Sequence, residues 1–265
     1  MKGEGNMDQE TILVKNEHFI TTVVINRPEM KNSISPEMYV RLTETIDHLA
    51  DDPDTRVIIM RGSGQEAFSA GADLSRMQGG STPPPPPSTR SRNISEALEA
   101  IGKPVIAMIY GYALGGGCDL AVSCDFRFAS ETARFGIPAA RRGIVYGHGS
   151  TLRVMHLVGP SFAKEILFTG RQFDVHEAKA MGLVNRILPN DELEGFTYQY
   201  ASEIAENAPL SVRGAKTIIN ALLKDPTLSR VEELNALAED ARKSEDFKEG
   251  VRAFMEKRKP RFTGR

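Results

Sequence analysis

Three stretches of this chain carry residues whose types and spacing could do chemistry. The first is GYALGGGCDLA, residues 111–121, with three adjacent glycines between an apolar run and a helical pattern. Glycine lets the backbone approach a ligand closely and take positive φ. The first turn of the helix that follows carries unpaired N–H groups and the positive end of the dipole, so it favours an anionic oxygen. Three glycines in a row exceed what a tight turn needs. The second stretch, FSAGADL at 68–74, is another small-residue turn after an apolar run, with Asp73 placed to cap a short helix. Together the two turns could set two backbone N–H groups on one oxygen, an oxyanion hole. The third, FGIPAARRGIVYGHGS at 135–150, holds Arg141, Arg142, Tyr146 and His148 but no carboxylate. Tyr146 could aim one hydroxyl hydrogen bond, or pack as an ordinary aromatic. His148 could move a proton, or serve only as a loop or helix-start residue between two glycines. Either arginine could bind a carboxylate bidentately or lie at the surface. A phosphate-binding reading of the glycines fails, because no GKS or GKT follows and no acidic partner stands at dinucleotide spacing.

The elements that must position these residues are legible in outline. ILV at 12–14, ITTVVI at 20–25 and VIIM at 57–60 are β-branched apolar runs and read as strands. Ser35-Pro36 opens a helix, with Ser as N-cap and Pro in the first turn. Met38, Leu42, Ile46 and Leu49 then recur at helical spacing. PVIAMIYGYALGGGCDLAVSCDFRFAS reads as strand (104–110), glycine turn, helix (117–124) and strand (126–130). Asp174 and Glu177 form a capping-box pattern that opens a helix ending at Gly182, and residues 184–188 form a last strand. The chain from Ser161 is mostly helical, and 191–257 is expected to form several amphipathic helices. MQGGSTPPPPPSTRSRN, 77–93, breaks the pattern, since five prolines join neither a helix nor a central strand. A surface loop is expected there, with a flap over a pocket or a polyproline II ligand as functional variants.

Composition narrows the class. A net charge of −2 over 265 residues argues against a dedicated nucleic-acid binder. No apolar run approaches the roughly 20 residues of a membrane span. MKGEGNMDQE lacks the apolar segment of a signal peptide. Cys118 and Cys124 fit neither a zinc site nor a disulfide framework, so no metal is expected. The expectation is a reduced, cytoplasmic protein.

VVINRPEMKNSIS, AFSAGADL, KPVIAMIYGYALGGGCDLAVSCDFRFAS, ARFGIP, GLVNRILP and FMEKRKPRF together resemble the crotonase superfamily of enoyl-CoA hydratases and isomerases. The resemblance covers nearly the whole chain. It implies an α/β fold, a crotonase-like spiral of ββα units over residues 1–200, with a helical C-terminal region at 201–265 for trimerisation and CoA contact. It implies an acyl-CoA thioester as substrate, with no separate cofactor, no nucleic acid and no membrane, and a homotrimer or dimer of trimers. It places the oxyanion-hole amides at Ala72 and Gly116, and CoA contacts at Ala70, Asp73, Leu74, Phe254 and Lys257. The shared chemistry is stabilisation of a thioester enolate.

The resemblance also shows departures. Hydratases of the family use two glutamates, and the corresponding positions here are Asp119 and Ala139. A dienoyl-CoA isomerase keeps the aspartate but needs two more carboxylates, at positions that are Ala139 and Gly147 here. GIVYGHGS is similar to the segment of methylmalonyl-CoA decarboxylases in which a tyrosine orients the departing carboxylate, and Tyr146 falls on it. The catalytic set implied is Asp119, Tyr146 and His148. Decarboxylation of a malonyl-type thioester is narrowly favoured. Hydration or double-bond isomerisation of an enoyl-CoA, and a non-catalytic acyl-CoA binding protein, are the alternatives.

Overall fold

Val, Ile and Thr dominate the first strands, and their alternation sends side chains to both faces of one sheet. The computed structural model describes residues 10–73, 93–225, 229 and 231–265. The main sheet contains β1 (Ile12–Glu17), β2 (Ile20–Ile25), β3 (Val57–Gly62), β5 (Val105–Ile109), β7 (Phe126–Ser130) and β10 (Arg186–Leu188), in that order across the sheet. Only β1 and β2 pair antiparallel; the remaining neighbours are parallel. Parallel strands covered on both faces read as continuous apolar runs. In β3, Val57 and Ile59 face one core while Ile58 and Met60 face the other. A smaller sheet stacks β4 (Ala67–Ser69), β6 (Tyr112–Leu114), β8 (Arg134–Gly136) and β9 (Phe173–Asp174). The chain thus visits one sheet and then the other as it advances, which is a spiral of strand pairs and helices.

α1 (Pro36–Asp51) starts where expected. Ser35 caps it by accepting from Met38 N at 3.3 Å, and its Met38, Leu42, Ile46 and Leu49 stripe is buried. α2 (Ile94–Ala100) packs on α1 and on α3 (Gly116–Val122), and α3 packs on α4 (His148–Thr169). α4 holds two helical segments: the first, from His148, was not expected, and the second opens at Pro160 after Gly159, whose φ 73° and ψ 169° are non-helical, in line with the helical chain expected from Ser161. α5 (Val175–Ala180) has the full Asp174–Glu177 capping box. α6 (Leu193–Ala205) lays Phe196 and Tyr200 edge-on against Phe128 of β7. It runs across the expected division at 200/201.

α7 (Pro209–Lys224), α8 (Val231–Lys243) and α9 (Glu245–Met255) form the helical C-terminal region. The buried Lys216 ammonium ties α7 to the core through Asp125 Oδ2 at 2.7 Å and the carbonyls of Leu98 and Lys103. Among the described residues no helix is long and apolar enough to cross a membrane. The proline run at 83–87 lies outside the described residues.

Candidate active site

Residues 70–73 are pinned against the segment leading into α1. Ile34 N donates to Gly71 O at 2.8 Å, and Asp73 N donates to Ile34 O at 3.0 Å. In this parallel bridge Ile34 makes both bonds, so the Ala72 N–H points away from it. Gly71 has φ 97°, a conformation suited to glycine. A Cβ there would also sit 2.7 Å from Leu114 O and 3.1 Å from Gly116 N. The two glycine turns therefore abut.

The second turn is held from the far side. Gly115 adopts φ 54°, ψ −119°, outside the range of ordinary side chains, and donates to Gly136 O of β8 at 2.8 Å. α3 starts at the next residue, so the Gly116 amide belongs to its first turn and lies at the positive end of the helix. A Cβ on Gly116 would stand 3.6 Å from Ala72 N. The two expected amides thus border one small space.

Asp119 is one turn further along α3, its side chain only 17% exposed. It accepts from Ser95 Oγ of α2 at 3.2 Å and from Arg153 Nη2 of α4 at 3.4 Å. Arg153 also donates to Glu99 Oε1 and to Ser150 Oγ, both at 3.0 Å, and its Nε is buried without a partner among the described residues. Glu99 is further paired with Lys224 at 2.9 Å. Burial pushes the Glu99 carboxyl up, but its bonds with Lys224 and Arg153 outweigh this and hold it below the usual range. Ser95, Glu99 and Arg153 carry no motif and were not anticipated; only the packing of α2, α3 and α4 brings them to Asp119.

Two phenols feel the Asp119 charge. Burial, then Asp119, pushes Tyr146 well above the usual tyrosine range. Burial, then Asp119, raises Tyr39 of α1 to about 12. The same two causes raise the buried Cys118 thiol to about 12, which leaves it inert. Tyr39 is a second residue that the sequence did not single out. It stands outside the Met38–Leu42–Ile46–Leu49 stripe.

The other expected residues are distributed unevenly. Ala139 is buried at the start of a short 3-10 turn and presents no titratable group. Tyr146 is half-buried against the core near Asp119, whereas His148 is exposed as the first residue of α4. Among the described residues, no hydrogen bond or ion pair joins the His148 side chain to this cluster. Arg141 is exposed and donates to Thr169 O at 3.0 Å, closing the end of α4, and Arg142 is exposed. Ala70 N donates to Lys31 O at 2.9 Å, and the buried Asp73 carboxylate pairs with Arg27 at 3.0 Å. Leu74 lies outside the described residues. Phe254 is 83% exposed on α9, and Lys257 is exposed just beyond it.

The chain resembles known proteins along nearly all its length. The sequence profile of the enoyl-CoA hydratase/isomerase family matches residues 15–265. A crotonyl-CoA hydratase from Syntrophomonas wolfei is 35% identical over 97% of this chain and 99% of its own length. A short-chain-enoyl-CoA hydratase from Clostridium acetobutylicum is 35% identical over 96% of this chain and 97% of its own. Among solved structures, an enoyl-CoA hydratase/carnithine racemase from Magnetospirillum magneticum superposes with a TM-score of 0.89 at 33% identity, covering 97% of each chain.

Proposed function

The chain belongs to the enoyl-CoA hydratase/isomerase family, and on that premise we propose that it is an acyl-CoA lyase acting on enoyl-CoA thioesters through a thioester enolate. Its fold is the crotonase-type α/β spiral. The observation that carries the reading is the Ala72 amide, turned away from its bridge toward the Gly116 turn, with Asp119 on the helix that starts there.

In this reading the thioester oxygen accepts from the Ala72 and Gly116 amides. Fixed donors aimed at developing charge lower the barrier without reorganising in the reaction. The polarised thioester makes C3 of the enoyl chain electrophilic. Asp119 takes a proton from the water that adds at C3, and the carboxylic acid so formed returns that proton to C2 of the resulting enolate. Ser95 and Arg153 hold the carboxylate for that task.

The hydratase names of the relatives favour hydration or isomerisation over the malonyl-type decarboxylation suggested by GIVYGHGS. Ala139 favours isomerisation as the second reading, because one carboxylate is enough to carry a proton between C2 and C4. The CoA contacts at Ala70, Asp73, Leu74, Phe254 and Lys257, a homotrimer or dimer of trimers, and a cytoplasmic site of action belong to the same proposal. The exposed Val251, Phe254 and Met255 of α9 support an assembly that covers them.

Parallel incubations with crotonyl-CoA, a β,γ-enoyl-CoA and methylmalonyl-CoA test it. Loss of enoyl absorbance from the first, or its appearance from the second, is expected. CO₂ release from the third with neither change would overturn the proposal in favour of decarboxylation. Tight binding of all three without turnover would make the chain a binding protein.

A further inference from the structure

We propose that the Tyr39 hydroxyl is a third hydrogen-bond donor to the thioester oxygen, beside the Gly116 amide. This rests on the reading of Ala72 and Gly116 as the oxyanion-holding pair.

The geometry is carried by Gly116. A Cβ built there would collide with Tyr39 Oη, and the same position lies 3.6 Å from Ala72 N. The phenol therefore rests on the bare α-carbon of Gly116, with the Ala72 amide across the same space. Glycine at 116 thus leaves room for this hydroxyl. Tyr39 is itself fixed at the start of α1, where its amide donates to Ser35 O at 3.0 Å. That end of α1 follows directly on Ile34, the residue that bridges Ala72. One short segment therefore orients both the Ala72 amide and the Tyr39 ring.

The chemistry of the group fits the role. Among the described residues no hydrogen bond engages Tyr39 Oη, although the ring is half-buried. A hydroxyl in such a place gains most from an acceptor that arrives with the substrate. Burial and the Asp119 charge raise this phenol to about 12, so it keeps its proton at neutral pH and can only donate to an anion. A hydrogen bond to a charged oxygen is about twice as strong as one to a neutral carbonyl. Its benefit thus grows as the thioester becomes an enolate, and its loss lowers kcat more than it changes KM. The alternative is that Tyr39 is only a wall limiting the acyl chain, which would weaken all thioesters alike.

The test compares acetoacetyl-CoA, whose enolate has its own ultraviolet absorbance, with butyryl-CoA, a saturated thioester of equal length. The wild-type chain is expected to bind acetoacetyl-CoA as the enolate. Tyr39→Phe should weaken enolate binding roughly 10- to 100-fold, toward the lower end of what an oxyanion donor contributes, with butyryl-CoA changed by less than about threefold. The kcat for the enoyl substrate should fall by a similar factor. Unchanged enolate binding in Tyr39→Phe, or equal losses for both thioesters, would overturn the inference while leaving Ala72 and Gly116 in place. Failure of the wild type to bind the enolate would instead remove the two-amide reading, and this inference with it. If Tyr39→Phe does not fold, a ring-fluorinated tyrosine at position 39 serves. It keeps the shape and makes the phenol more acidic, so enolate binding should tighten; no change would reject the donor role.

Discussion

The floor of the site and its wall are made of different material. The floor is main chain: two turns, at Gly71–Ala72 and Gly115–Gly116, locked against Ile34 and Gly136 by bonds of 2.8 Å. The wall is side chains from residues 135–150, and it is heterogeneous: buried Ala139, half-buried Tyr146 and exposed His148. In the proposed function the floor supplies an electrostatic service that any thioester enolate can use. In the same proposal the wall and Asp119 decide which proton moves. The chain is 35% identical to a crotonyl-CoA hydratase, and its own wall lacks a carboxylate.

The largest effect should come from breaking the floor. Proline at 116 would add atoms where Tyr39 sits, so the cleaner change is an amide-to-ester exchange, with glycolate in place of Gly116. It removes the N–H without adding an atom toward Tyr39, weakening only the Gly115 carbonyl that accepts from Asp119 N, and turnover of the enoyl substrate should fall by roughly 10²–10³. Activity within tenfold of wild type would take the amide out of the mechanism. Next comes Asp119→Asn, which keeps the size and the Ser95 contact but loses the base. A loss of roughly 10²–10⁴ in kcat is expected, measured by enoyl absorbance. A milder drop would show that the wall shares the proton transfer. The smallest effects should come from the wall itself. Tyr146→Phe, at a half-buried position whose hydroxyl has no hydrogen bond among the described residues, is expected to cost a few-fold, and His148→Ala, at an exposed position, about twofold or less. A tenfold loss in His148→Ala would reverse the ranking and move the acid–base work to the start of α4.

How much of this was legible in the sequence follows the same division. The two turns were readable because glycine runs after strands stand out, and both lie where the motifs put them. β2 and β7 match their expected bounds at 20–25 and 126–130: β2 is a β-branched run, β7 a short aromatic one, and both are largely buried. β6, β8 and β9 have three, three and two residues, too few for any period to register. The first segment of α4 was hidden because it opens in a glycine-rich stretch at His148, whereas Gly159-Pro160 is the boundary between its two segments. Ser95, Glu99 and Arg153 were missed because nothing local marks them. Their chemistry exists only once three helices converge on Asp119. Tyr39 was missed because it sits just off a clean apolar stripe, where an aromatic looks like packing.

The abutting turns have a consequence for how such a protein would answer a mutational scan. Replacing the side chain at Ala72 leaves its N–H where it was, so tolerance at that position would say nothing about the amide. Replacement at Gly116 would fail for reasons of space as much as chemistry. Side-chain substitution thus reports poorly on the proposed anion-holding amides, and exchanging wall residues leaves that main chain in place.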